Sequence, residues 1–118
     1  YDQGKDTKQK GLELAIKAFN SSPSQVAVIE IISYEEFPEL KPGVAEFCAA
    51  YVDDFNKNRD SYMRKDGYLR RLWVALKMVE YLMGRARENS DNKLAYTYVL
   101  KYKEYLDEQQ LAKRNLTW

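Results

Sequence analysis

The sequence contains no histidine and only one cysteine, Cys48, among its 118 residues. Without histidine the chain lacks the most common general acid or base near neutral pH, and Ser-His-Asp and Cys-His catalysis are excluded. The usual zinc sites are excluded too, because they need several histidine or cysteine ligands. We therefore expect no enzyme activity, and an enzyme that works without histidine is only the third functional alternative.

A single thiol cannot form a disulfide within the chain, so the fold does not depend on an oxidising environment. On this basis we expect a cytoplasmic protein, with secretion without disulfides as the other reading. Cys48 stands between Phe47 and Tyr51 on an apolar helical stripe. Since reactive thiols occupy exposed, electropositive places, the stripe predicts a buried structural cysteine.

Long apolar runs and glycine-rich loops are also missing. No stretch approaches the roughly 20 apolar residues that a membrane-spanning helix needs, so no membrane contact is expected. The five glycines stand apart and form no phosphate-binding loop. Four carboxylates near a proline-containing loop are the oxygen ligands that calcium prefers, but their spacing matches no calcium loop. They are Glu30, Glu35, Glu36 and Glu39. We predict no metal and no cofactor.

The residues that are present describe a globular chain, with 45% apolar and 31% charged residues. Its length is that of one domain, since domains cluster near about 100–150 residues. We therefore expect residues 1–118 to form a single helical domain. Residues 1–10 are polar and show no apolar period, so we expect them to be frayed.

Apolar spacing of three and four residues predicts an all-α fold, a compact bundle of about five helices. The predicted helices are near residues 11–20, 23–34, 43–64, 68–89 and 91–111. Residues 26–32 are rich in valine and isoleucine, which favours a strand. A helix is preferred because Ser22 and Pro23 suit its first positions, and because no second strand is present for pairing.

The fourth helix, near 68–89, is long and apolar on most sides, which is typical of a central helix. Its residues Leu72, Leu76, Val79 and Met83 are expected to be almost fully buried. In the last helix seven residues are expected to face inward. The seven are Leu94, Ala95, Tyr98, Val99, Tyr102, Tyr105 and Leu106. The residues expected to face outward are Thr97, Lys101, Glu104 and Glu108, with Tyr96 and Lys103 also exposed.

Charge is distributed unevenly along the chain, although the total is only +1. Residues 25–56 contain seven acidic residues and one lysine, whereas residues 57–118 contain fourteen basic and eight acidic residues. Separate acidic and basic segments either attract each other within one fold or present opposite faces to partners. A helical protein-interaction domain, with a regulatory role, is therefore the leading functional prediction.

The strongest candidate site is the stretch YMRKDGYLRRLW, residues 62–73. It places basic and aromatic side chains around Asp66-Gly67, a turn that also suits a helix–turn–helix. The candidate partner-binding residues are Arg64, Lys65, Tyr68, Arg70, Arg71, Tyr96 and Lys103. Nucleic acid is the alternative partner, with Tyr68 stacking on a base. Self-association into a homo-oligomer is also open, and a solvated rim of charges above inward-facing Leu69, Leu72 and Trp73 is the plainest interpretation.

Overall fold

The computed structural model describes the backbone of residues 2–63 and 67–116 and the side chains of residues 7–63 and 67–111. Within these ranges the chain is helical and contains no strand, which confirms the all-α prediction. The elements are α1 (Asp2–Ser21), α2 (Gln25–Ser33), a 3-10 turn (Tyr34–Glu36), α3 (Lys41–Lys57), α4 (Arg59–Met63), α5 (Tyr68–Glu88) and α6 (Asn92–Leu116).

Helix α1 begins earlier than the apolar pattern indicates. Residues 2–10, expected to be frayed, are helical in the structure. Near the end of this part, the Lys8 ammonium lies 4.2 Å from the centroid of the Phe37 ring. Gly11 also allows a close approach, since a Cβ there would lie 2.5 Å from the Tyr34 hydroxyl oxygen. Polar helical turns can therefore be fixed by neighbours that the local sequence does not reveal.

The helix predicted at residues 26–32 is confirmed, but its predicted cap is wrong. The backbone N–H of Ser22 donates to the Ala18 carbonyl oxygen at 3.0 Å, so Ser22 still belongs to the end of α1. Ser24 caps α2 instead, because it is extended and its Oγ accepts from the Ala27 N–H at 3.1 Å.

Helix α2 is buried on one side only. Val28 and Ile31 are fully buried, whereas Val26 is 76% exposed and Ile29 is 54% exposed. Although residues 26–32 are apolar at nearly every position, α2 therefore turns only one face to the core.

The single helix predicted at 43–64 is interrupted at Asn58, where α3 ends and α4 begins. The Asn58 side-chain nitrogen donates to the Asp54 carbonyl oxygen at 3.2 Å and to an Asp54 carboxylate oxygen at 2.8 Å. Such local bonds compete with the helix and are a common reason for asparagine at helix ends. The interruption redirects the chain so that Arg59 faces α6.

Helix α5 packs against α2, α3, α4 and α6. Leu72 and Val79 are fully buried, as predicted, but Leu76 and Met83 are only half-buried. Successive helical residues are about 100° apart, so Leu76 and Met83 fall at the edge of an arc centred near Ala75 and Leu82. The buried residues of α5 are Leu72, Val74, Ala75, Met78, Val79, Leu82 and Ala86.

Helix α6 contacts mainly α5. Tyr105 is fully buried, and Tyr98 and Tyr102 pack against the core, as predicted. Leu94 and Val99, predicted to face inward, are 41% and 37% exposed because one neighbouring helix covers only a narrow arc. Asp91 caps α6 by accepting from the Leu94 N–H at 3.1 Å.

The predicted structural role of Cys48 is confirmed. Its side chain is fully buried, and burial, with a smaller contribution from the Glu35 charge, raises its pKa to about 12. A thiol this weakly acidic supplies almost no thiolate near neutral pH. Among the helices described above, none is both long and apolar enough to cross a membrane.

Candidate anion-binding corner

The turn between α1 and α2 and the N-terminus of α5 enclose a pocket of about 210 Å³. We call it the corner pocket, and its described lining residues are Ser21, Ser22, Pro23, Gly67, Arg70 and Arg71. These come from segments more than forty residues apart in sequence. The lining contains two guanidinium groups and two hydroxyl groups, and none of these six residues carries a carboxylate.

Gly67 starts α5 and shapes the floor of the corner pocket. Its φ of 82° lies in the left-handed region, which glycine adopts without steric cost. The first helical hydrogen bond joins the Arg71 N–H to the Gly67 carbonyl oxygen at 3.0 Å. The N–H groups of the preceding residues have no acceptor within the helix, and Gly67 has no side chain to cap them. These groups give the end of α5 a partial positive charge.

Arg71 is half-buried and held by aromatic residues of α3 and α4. Its guanidinium carbon lies 5.1 Å from the centroid of the Tyr62 ring, a cation–π distance. The Tyr62 hydroxyl donates to an Asp54 carboxylate oxygen at 2.7 Å. Burial raises the pKa of Tyr51, and the adjacent Arg71 charge opposes that shift. These contacts fix Arg71 with its charge beside the pocket.

Arg70 is exposed, as predicted, and its guanidinium group stands next to Gly67. Within residues 7–63 and 67–111, neither Arg70 nor Arg71 lies within ion-pair distance of a carboxylate. The corner pocket therefore holds two positive charges that the described part of the fold does not neutralise.

Arg59 lies nearby and is bound quite differently. One of its terminal nitrogens is 2.6 Å from a Glu104 carboxylate oxygen, and the other is bonded to Glu108. Tyr68 also donates to Glu108, and the Arg59 guanidinium lies 5.0 Å from the centroid of the Tyr105 ring. We call this set the Arg59 network. It links α4, α5 and α6, and it half-buries Glu108, which was predicted to face outward. No pattern in the sequence singled out Arg59.

Tyr68, a candidate for stacking on a base, packs within the fold instead. Its ring stacks on Phe55 with centroids 6.2 Å apart and planes 10° apart. Burial and the hydrogen bond to Glu108 raise the pKa of Tyr68 to about 12. A ring held in this way is not presented for stacking on a base, so the observation weighs against that role.

The structure does not bring the remaining candidate residues together. Arg64 and Lys65 lie outside the described residues. Tyr96, 64% exposed, and Lys103 lie on the outer side of α6, as predicted. Glu108 is the α6 residue bonded to Tyr68, and Tyr96 precedes it by twelve residues, about 18 Å along a helix axis. Tyr96 is therefore a separate surface from the corner pocket.

Other interpretations of the basic stretch are also constrained. Helix α5 packs against four other helices and exposes only a narrow stripe that includes Arg70, Glu80 and Arg87, which weighs against a role as a recognition helix in a nucleic-acid groove. Leu72 is buried and Leu69 packs against the core, whereas Trp73 is half-buried.

The acidic loop forms no metal site in the part of the chain that the structure describes, where no group of three potential ligands is found. Glu35 instead lies 3.9 Å from the Lys41 ammonium.

Sequence reasoning missed Ser21 and Ser22 as pocket residues. The motif Asn-Ser-Ser indicated only the end of a helix, and no local pattern relates it to residues 67–71. Comparisons of the chain with protein-family models, curated proteins and solved structures find no match.

Proposed function

We propose that this chain is a non-enzymatic helical domain that binds a partner protein through the corner pocket. The single observation that supports this function is the pair Arg70 and Arg71, which line a pocket without a described neutralising carboxylate. An acidic segment of a partner supplies the missing negative charge. Charges of this kind increase the rate of encounter and the specificity of protein complexes.

A protein partner fits the molecule better than nucleic acid does. A nucleic acid brings a row of phosphates and requires several basic contacts. The corner pocket offers one compact site, and Asp54 lies close to it through Tyr62. Further exposed carboxylates on α2 and α3, including Glu30, Glu46 and Asp53, disfavour a long polyanion. Nucleic acid remains the second candidate because two arginines in one pocket also suit a backbone phosphate.

The test is a titration at low salt with three probes: a glutamate-rich peptide, short single-stranded and duplex DNA, and short RNA. Wild type is compared with the double charge reversal Arg70→Glu/Arg71→Glu. The control reverses two exposed basic residues elsewhere, Arg87→Glu/Lys93→Glu, and thereby changes the net charge equally.

We expect the acidic peptide to bind wild type and the control, and the corner variant to lose this binding. Tighter binding of DNA or RNA than of the peptide, lost in the corner variant, supports the second candidate instead. Equal effects of both double variants would show that only net charge matters and would refute a site at the corner.

A further inference from the structure

We infer that the corner pocket is a phosphate-monoester site that recognises a phosphorylated serine or threonine in the partner protein. This inference rests on the proposed function and names the chemical group that the same site selects. It draws on the size of the pocket, its hydrogen-bond donors and its charge, which are considered in turn.

The pocket size suits a tetrahedral oxyanion. Its volume is about 210 Å³, and a water molecule occupies roughly 30 Å³. Several water molecules therefore fit, and a phosphate group with the first atoms of its side chain can replace them. The lining is mostly polar, so an apolar ligand gains little there.

The donors match phosphate in type. A guanidinium group presents planar paired N–H donors that fit phosphate oxygens, and the pocket has two such groups, Arg70 and Arg71. Ser21 and Ser22 supply hydroxyl donors. The N–H groups of the first turn of α5, which have no acceptor within the helix, are the kind of donors that bind phosphate at helix N-termini. Arg71 is already fixed by Tyr62, so less ordering is needed on binding.

Two features oppose anion binding. The first is Asp54, which lies close to the pocket through Tyr62 but forms no ion pair with Arg70 or Arg71 in the described part of the fold. The second is a helix end. Helix α1 ends at Ser21, and a helix C-terminus carries about half a negative charge. The N-terminus of α5 offsets this with about half a positive charge. The charges of Arg70 and Arg71 then remain. A phosphate monoester carries roughly −1.5 to −2 at pH 7, close to this charge, whereas a carboxylate carries only −1.

Because the chain has no histidine, the pH dependence of binding can show whether the pocket prefers a phosphate to a carboxylate. A phosphate monoester gains its second charge near pH 6, whereas a glutamate side chain is already ionised there. The chain has no side-chain type with an ordinary pKa in that interval. Binding of a phosphopeptide should therefore strengthen between about pH 5 and 7.5, and binding of a glutamate peptide should stay constant.

The experiment is calorimetric titration of the full chain with four probes. Three probes are versions of one otherwise neutral peptide, with phosphoserine, glutamate or serine at its centre. The fourth probe is inorganic phosphate. The proteins are wild type, Arg70→Gln, Arg71→Lys and Ser22→Ala, with Arg87→Gln as the control at an exposed site on the same helix. Arg71→Lys keeps the charge and removes the paired donors, and circular dichroism checks that it folds.

We expect the phosphoserine peptide to bind wild type at least about tenfold more tightly than the glutamate peptide, a difference of one charge-assisted hydrogen bond. Arg70→Gln and Arg71→Lys should each remove most of this advantage, Ser22→Ala should reduce it, and Arg87→Gln should leave it intact.

The failures of the two proposals are distinguishable. Equal affinity for phosphoserine and glutamate peptides, without pH dependence, would overturn the phosphate inference and leave acidic-partner binding standing. No binding of any peptide would overturn both. Inorganic phosphate binding as tightly as the phosphopeptide would identify a free phosphate site and contradict a phosphorylated partner.

Discussion

Arg59 and Arg71 each lie over a tyrosine ring that contacts Phe55. The guanidinium lies 5.0 Å from the ring centroid of Tyr105 for Arg59 and 5.1 Å from that of Tyr62 for Arg71. Both tyrosine rings have their centroids 5.5 Å from that of Phe55. The aromatic support is similar in distance, although Tyr62 stacks on Phe55 and the fully buried Tyr105 meets it edge-on. The larger difference between the two sites is in the carboxylates around them.

Arg59 is neutralised within the fold. Burial lowers its pKa, but hydrogen bonds to Glu104, Tyr68 and Glu108 outweigh burial and raise the pKa above its ordinary value. Arg71 has no ion pair among the described residues. An arginine on an aromatic surface therefore stabilises the fold when carboxylates of the same chain neutralise its charge. Without such carboxylates its charge stays available to a partner.

The largest expected effect comes from removing the residue that both sites share. Phe55→Ala deletes a fully buried ring and should lower the free energy of unfolding by about 3–5 kcal/mol, the usual range for such a change. Urea denaturation followed by circular dichroism measures it. Tyr96→Ala, at a 64% exposed aromatic residue, is the control and should change stability by less than about 0.5 kcal/mol. A loss below about 1 kcal/mol for Phe55→Ala would mean that the aromatic cluster does not join the two sites.

The second expected effect separates the two arginines directly. Arg59→Met keeps most of the side-chain volume but leaves Glu108, whose side chain is 20% exposed, without its positive partner. We expect a loss of about 1–3 kcal/mol, less than for a fully buried pair because Glu104 is half exposed. Arg71→Met should cost under about 1 kcal/mol, since it leaves no described carboxylate unpaired. Urea denaturation again measures the two losses of stability. A larger loss for Arg71→Met than for Arg59→Met would mean that Arg71 is the arginine that stabilises the fold.

The sequence predicted most of the fold because apolar periodicity reflects burial. The helices at α3, α5 and α6 follow from it, whereas α2 was predicted from Ser22 and Pro23 and from the lack of a second strand. Apolar periodicity failed where the deciding contacts are distant in sequence, or where burial depends on how two neighbouring helices pack. Leu76 and Met83 lie at the edge of an arc that depends on where α2 and α3 pack. Asn58 ends α3 through a bond to Asp54 that looks, in sequence, like any polar pair.

The candidate site was predictable only in part. Arg70 and Arg71 stood out as adjacent charges beside a glycine turn. Their pocket also needs Ser21 and Ser22, and only the folded chain places that turn beside Gly67. Arg59 was overlooked for the same reason, because its partners Glu104 and Glu108 are more than forty residues away.

A smaller effect tests the backbone of the corner pocket. Gly67→Ala places a side chain at a φ of 82° and should lower the free energy of unfolding by about 1–2 kcal/mol. Gly84→Ala is the control, since the same change in the middle of α5 meets no atom within 4 Å. This control should raise stability by about 0.5–1 kcal/mol. Opposite signs for the two variants, measured by thermal unfolding, would confirm that glycine is required at Gly67 and not at Gly84, and equal signs would contradict it.

The smallest expected effect compares the two sites through their tyrosine hydroxyls at alkaline pH. The hydrogen bond to Asp54 and burial raise the pKa of Tyr62 to about 12, and burial and the hydrogen bond to Glu108 raise that of Tyr68 to about 12. In the unfolded chain tyrosine has a pKa of about 10, so the folded state keeps these protons longer. Each tyrosine therefore contributes stability that is complete below about pH 10 and is lost as the pH rises from about 10 to 12.

Tyr62→Phe and Tyr68→Phe should each make the fall in unfolding free energy over this interval shallower than in wild type. The Tyr62 bond lies at the surface, where solvent screens it, so we expect a difference of under about 1 kcal/mol. Tyr68→Phe should also weaken stability near neutral pH, because Glu108 in the Arg59 network loses a donor. Urea denaturation at a series of pH values measures both, with Tyr96→Phe as the exposed control. If Tyr62→Phe, rather than Tyr68→Phe, were the more destabilising variant at neutral pH, the Arg71 side of Phe55 would be the structural one and the comparison would be inverted.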